Sequence, residues 1–332
     1  MAMPDRARSS ASLLPVAARL LASALGASLL LSTCREDHGP ASPTGVKIPT
    51  LASAAPPGSV TFVGAGDISL CTHHNDTSTA KLLDTIPGTV FVTGDNVGAP
   101  GDSTTYANCY NPTWGRQKAR TFPVPGDVEY GTAGAQGYYG YFGAAAGDPT
   151  KGYYSYNLGA WHIIALNSQT SMAAGSAQEV WLKADLAANP SQCTLAYWHL
   201  PAFYSGTSTV RSSVLPLWND LYAAHADVVL NSHTRNYERF APQTPAAVLD
   251  TAQGIRQFIV GTGGLGTWSF STIAPNSLVR AQVYGVLKFT LSPGSYSWKF
   301  IPIAGTQFSD SGSAACHGPP GPPPPPPPPR RP

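Results

Sequence analysis

Five short apolar segments each run into a turn that carries an Asp or a His, and this recurrence constrains the fold more than any other feature. Val60-Thr-Phe-Val-Gly-Ala-Gly leads into Asp67, Val90-Phe-Val-Thr-Gly into Asp95, and Phe122-Pro-Val-Pro-Gly into Asp127. Leu195-Ala-Tyr-Trp leads into His199, and Val228-Val-Leu-Asn-Ser into His233. Runs of this length, rich in β-branched and aromatic residues and bounded by Gly, Asp, Asn or Pro, suit strands buried on both faces. Helical patterns lie between them. One spans Thr77 to Thr85 behind Asp76 as an N-cap; another spans Ser176 to Ala188 and stops at Asn189-Pro190; a third spans Ser213 to Ala224. The last third turns to strands at Arg256 to Val260, Val283 to Thr290 and Tyr296 to Ile303. The pattern predicts one layered α/β domain over residues 58–316.

In open α/β sheets, sites gather beyond the carboxyl ends of strands, where neighbouring loops converge. A Gly before each Asp lets the backbone turn sharply away from its strand. Three carboxylates and two imidazoles brought together need a cation between them. An Asp/His donor set suits Zn, Mn or Fe better than Ca. Taken singly, each residue has a plainer reading: Gly-Asp is a common turn, and a His after a strand is more often structural. Only the joint pattern carries the inference.

Five segments resemble, in order, the GD, GDxxY, GNHE, HxP and GHxHxYER motifs of calcineurin-like metallophosphoesterases. They are Gly66-Asp67, Gly94-Asp95-Asn96, Pro125-Gly126-Asp127-Val128-Glu129-Tyr130, Trp198-His199-Leu200-Pro201 and Ser232-His233-Thr234-Arg235-Asn236-Tyr237-Glu238-Arg239. The likeness is greatest to the branch that includes purple acid phosphatases, in small exported bacterial forms, and covers residues 60–316. It implies a four-layer sandwich of two mixed β-sheets flanked by helices, with a two-metal centre at one edge. There a metal-bound hydroxide would attack the phosphorus of a small phosphoester. Carried over, Asp95 resembles the ligand that bridges both metals, Asp67 a ligand of the first, and His199 and His233 ligands of the second.

The departures from the family pattern fall together. Asp127 replaces the motif Asn and still offers an oxygen to the second metal. Val128 replaces the His that helps bind phosphate and protonate the leaving group, and can do neither. Gly98 and Arg235 replace two ligands of the first metal. This predicts one well-formed site at Asp95, Asp127, His199 and His233, with the Arg235 guanidinium in the vacated place, neutralising Asp67 and holding a phosphate oxygen. His73 and His74, shortly after Asp67, are alternative ligands. A weakly active or inactive scaffold that binds metal or ligand is the competing reading.

Charged residues are only 11% of the 332, against roughly 25% in ordinary soluble domains, and the net charge is +2. No clustered basic stripe points to nucleic acid. Residues 1–34 read as an export signal, with Arg6, Arg8 and Arg19 as the positive flank before an apolar run from Leu20 to Leu31. Leu31-Ser-Thr-Cys34 resembles a lipoprotein cleavage site, which would anchor a secreted or periplasmic protein to membrane through Cys34. Residues 35–57 read as a flexible linker, and 317–332, with eight consecutive prolines from Pro322, as a polyproline II tail. Without Cys34 four cysteines remain, which suggests two disulfides in an exported chain. Three pairings are possible; sequence proximity favours Cys71 with Cys109, leaving Cys193 for Cys316.

Overall fold

A computed structural model describes residues 55–318. The readings for the export signal, Cys34 and the proline run lie outside that range. Two mixed sheets form the body. The first is ordered β13-β12-β11-β1-β2-β3. Here β1 is Val60–Ala65, β2 Thr89–Thr93, β3 Thr121–Val124, β11 Gly285–Ser292, β12 Ser295–Pro302 and β13 Ser311–Ala315. Strands β1, β2 and β3 run parallel, and β11 joins β1 antiparallel. The second sheet is ordered β10-β8-β9-β7-β6-β5-β4. Its strands are β4 Tyr154–Leu158, β5 Trp161–Ala165, β6 Cys193–Tyr197, β7 Val228–Asn231, β8 Tyr237–Phe240, β9 Arg256–Val260 and β10 Ser277–Ala281. Strands β5, β6, β7 and β9 are parallel.

The sheets face each other across the main core. Phe62 and Phe91 of the first sheet meet Tyr197 of the second, with centroids 6.0 and 6.4 Å away, and Phe289 meets Phe258 at 5.3 Å. A second core, with Trp198, Phe203, Leu182, Leu217 and Trp218, lies under the helices Ala177–Ala188 and Leu215–Ala223. The helix Asn75–Thr85 covers the outside of the first sheet. The expected four-layer α/β sandwich is therefore the fold. Trp114, Trp161, Trp198 and Trp218 are fully buried and Trp181 partly so. Among the described residues, no helix is long and apolar enough to cross a membrane.

Some elements differ from the sequence reading. Asp76 is not an N-cap: the helix starts at Asn75, and Asp76 is buried in its first turn, accepting hydrogen bonds from Ser69 and Thr113. Residues 103–120 and 129–146, on either side of β3, fold into short helical turns that pack Tyr106, Tyr110, Tyr138, Tyr141 and Phe142 together. Turns this short leave no periodicity to read. Strands β4, β10 and β13 were also unread, since each is an edge strand or next to one and is only half-buried.

Cys71 is bonded to Cys109 and Cys193 to Cys316, with Cα separations of 4.9 and 5.3 Å. The second bridge fastens the start of β6 to the chain after β13. Packing continues to His317, whose N–H donates to buried Asp227 at 2.9 Å.

Candidate metal centre

All five Asp and His positions lie just past the carboxyl ends of strands, along one edge shared by the two sheets. Strands β1, β2 and β3 deliver Asp67, Asp95 and Asp127; β6 and β7 deliver His199 and His233. Gly66 N–H donates across to Val260 of the other sheet, while Asp67 N–H to Gly94 and Ser232 N–H to His199 tie neighbouring strand ends within each sheet. Asp67, Asp95, His233 and Arg235 take left-handed φ of 54°, 49°, 70° and 49°. Backbone strain of this kind gathers at functional sites. The turn glycines serve chiefly as space. Gly94 does adopt a φ of +91°, but at Gly126 and Gly261 a Cβ would collide with the carboxylates of Asp95 and Asp67.

His199 is the hub. Its Nε2 lies 2.8 Å from Asp127 Oδ1, 3.2 Å from His233 Nδ1 and 3.4 Å from Asp95 Oδ1. A tetrahedral shell with bonds of about 2.0–2.1 Å spaces its donors about 3.3–3.4 Å apart. Asp127, His199 and His233 bring one ligand atom each within 4.8 Å of one another, which suits one small transition-metal ion, while Asp95 approaches that trio through His199 alone. A second grouping, Asp67, Asp95 and His199, also brings one ligand atom each within 4.8 Å of the others. Asp67 is fully buried, and neither of its carboxylate oxygens has a hydrogen-bond partner. Such an orphaned pair fits a missing positive charge.

The electrostatics reflect crowding of negative charge in a dry place. Burial, followed by the charge of Asp95, pushes the Asp67 carboxyl up to about 8. Burial opposes protonation of His199, yet Asp95, the Asp127 hydrogen bond and Asp67 outweigh it and lift the imidazole to about 10. Partial burial would raise Asp127, but hydrogen bonds to His199 and His233 hold it well below the usual carboxylate range.

A supporting shell fixes the geometry. His199 Nδ1 lies 3.0 Å from the Thr93 carbonyl and 2.9 Å from Ser232 Oγ, which leaves Nε2 to face the centre. Buried Glu129 accepts the N–H groups of Asp95, Asn96 and Gly126 and the Tyr106 hydroxyl, and so clamps two of the ligand turns. Burial, then Asp95, pushes the Glu129 carboxyl up to about 7. The role of Glu129 was not read from sequence, although it stands two residues after Asp127 inside a quoted motif; Ser232 likewise precedes His233. Trp268 gave no local signal at all.

The substituted positions are equally definite. Val128 contributes its backbone, donating to Asp95 Oδ1 at 3.1 Å. Gly98 abuts Leu70, whose Cδ1 a Cβ would meet at 2.6 Å. Arg235 does not make the expected ion pair with Asp67: among the described residues none forms within 4.0 Å. Its guanidinium lies over the Trp268 ring, 4.7 Å from the centroid, and acts on Asp67 only through space. Trp268 in turn donates its N–H to the Arg235 carbonyl and meets His233 edge-on at 6.0 Å. His73 and His74 are exposed and join neither ligand grouping.

No family model matches the chain. Purple acid phosphatase 13 of Arabidopsis thaliana is 39% identical over 93 residues, 26% of this chain and 17% of its own length. Purple acid phosphatase 15 of the same plant is 32% identical over 100 residues, 28% of this chain and 19% of its own. The match thus spans about a fifth of those relatives. Among solved structures, purple acid phosphatase PPD1 from yellow lupin superposes with a TM-score of 0.59 at 18% identity, over 79% of this chain and 55% of its own. GAP50, the anchor in the inner membrane complex of Plasmodium, gives 0.58 at 15% identity over 76% and 88%. PhoD gives 0.52 at 11% over 78% and 70%. The structural likenesses share the fold.

Proposed function

We propose that this chain, a calcineurin-like metallophosphoesterase of the purple-acid-phosphatase-like kind, hydrolyses small phosphomonoesters with one transition-metal ion (Zn, Mn or Fe) held by Asp95, Asp127, His199 and His233. The observation that carries the reading is the spacing around His199 Nε2, with three further donors within 3.4 Å. An ion bound there would supply Lewis acidity, activating water and neutralising phosphoryl charge. The protein's own groups do the positioning. Glu129 and Ser232 hold the ligand turns, and Arg235, braced on Trp268, offers guanidinium N–H groups to a phosphoryl oxygen. Asp67 offers a further oxygen near Asp95 and His199. Val128 has no proton to give a departing alcohol, so esters with good leaving groups are favoured. Two disulfides suit a protein exported to an oxidising compartment, with lipidation at Cys34 as the means of anchoring.

A second reading has a specific observation in its favour. Three catalytic or ligand positions carry Gly98, Val128 and Arg235, and one structural neighbour is described as an anchor. The chain would then be a metal-binding scaffold without turnover. Both are tested by counting metal per chain by mass spectrometry and assaying an aryl phosphate, with Asp95→Asn as the blank. Two tightly held ions would refute the single site. Turnover no greater than the blank leaves the scaffold.

A further inference from the structure

Beside His233 opens a cleft of about 400 Å³, formed largely by two loops that pair through Gly206 and Thr272. That volume suits a small-molecule ligand. No acidic residue lines it. Seven arginines lie among the described residues, and five of them donate to a carboxylate, carbonyl or hydroxyl of the protein. Arg211 and Arg235 alone have no such acceptor among those residues, and both flank this cleft: Arg211 lines it, and Arg235 lies behind its wall residue Trp268. Arg211 is laid against the Tyr204 ring at 5.3 Å. A guanidinium stacked in this way keeps its in-plane N–H donors free. In a chain with only 11% charged residues, a half-buried cation without a counter-charge marks a place for an anion.

We propose that the cleft is a leaving-group subsite for phosphoesters whose alcohol carries a second anionic group, phosphate or carboxylate, which Arg211 binds. The planar or apolar part of the alcohol rests between Tyr204 and Trp268. The proposal rests on the phosphoesterase reading, since it places the scissile phosphoryl group at the His233 end. Phosphonates test it without turnover, because their C–P bond is not hydrolysed. Zinc-loaded protein is titrated calorimetrically with phenylphosphonate, 3-carboxyphenylphosphonate and benzene-1,3-bisphosphonate. A two-anion probe is expected to bind at least about 10-fold tighter than phenylphosphonate, the lower end for a hydrogen bond to a charged group. The tighter of the two assigns the second group. Arg211→Met is expected to abolish the preference and leave phenylphosphonate affinity unchanged, and Arg211→Lys to retain part of it. Equal affinities in the wild type, or a preference that survives Arg211→Met, overturn the subsite. Failure to hydrolyse aryl phosphate removes the hydrolase reading while leaving the affinity ratio to be judged by itself.

Discussion

Zinc binding at pH 7 should release protons, in a number set by which residues meet the ion. His199 is lifted to about 10 and so carries a proton at pH 7, yet its Nε2 must be bare to bind a metal. Asp67 is lifted to about 8, which leaves it about nine-tenths protonated at pH 7. An ion held only by Asp95, Asp127, His199 and His233 displaces about one proton, that of His199. An ion whose charge also reaches Asp67 displaces nearly two. The assay is calorimetric titration of zinc into metal-free protein in buffers of different ionisation enthalpy, where the slope of heat against that enthalpy counts protons. Asp67→Asn should release about one whatever the wild type does. Apparent affinity should also rise about tenfold per pH unit between pH 6 and 8 for each proton displaced. Zero release in all buffers, or an affinity flat across that range, refutes the reasoning from carboxylate crowding around His199.

Two further outcomes follow from single residues. Val128→His should restore a proton donor beside the ligands, and general acid catalysis is worth about 10²–10⁴-fold. That gain should appear with an alkyl phosphate and be nearly absent with a nitrophenyl ester, so an equal factor for both would show that the new imidazole acts otherwise. Asp227 is pushed up to about 7 by burial, although the N–H groups of Thr194 and His317 oppose this. An acid raised in the folded state carries no penalty below its unfolded pKa and loses stability as pH climbs towards the folded one, here about three units at about 1.4 kcal/mol each, or roughly 4 kcal/mol. Urea unfolding of Asp227→Asn should therefore compare better with wild type at pH 8 than at pH 5; the same difference at both values contradicts the assignment.

The two parallel strand clusters were legible because each strand is buried on both faces and writes its burial as an apolar run. Val90–Thr93 and Leu195–Tyr197 are examples, buried at every residue. The placement of the three Asp and two His at strand ends was legible for a related reason: the turn at a strand's carboxyl end starts where the apolar run stops. What could not be read was built by contacts between distant segments. Glu129 matters because it reaches the N–H groups of Asp95 and Asn96, more than thirty residues back. The course of Arg235 is set by Trp268, which belongs to a loop with no pattern. Sequence placed Arg235 beside Asp67 by analogy with a ligand, whereas the flat cation rests on a ring whose centroid is 4.7 Å away.

Around Asp67 the structure departs from the two-metal pattern that the resemblance implied. Leu70 crowds Gly98, so an aromatic ligand there would need Leu70 to move, and the Arg235 guanidinium lies over the Trp268 ring. Asp67 is the exception that decides what remains. It is fully buried in a left-handed turn with both oxygens unpartnered, a placement that destabilises a metal-free chain increasingly between about pH 4 and 8. Asparagine would fill the same space without that burden. Asp67 therefore makes physical sense only if a positive charge arrives beside it. In Asp67→Asn, metal-free stability at pH 8 should rise by a few kcal/mol, because the removed charge outweighs about 1–3 kcal/mol for an unpaired amide, while zinc affinity falls. A variant that gains stability and binds zinc as tightly as wild type would show that Asp67 never meets the ion and that Asp95, Asp127, His199 and His233 act alone.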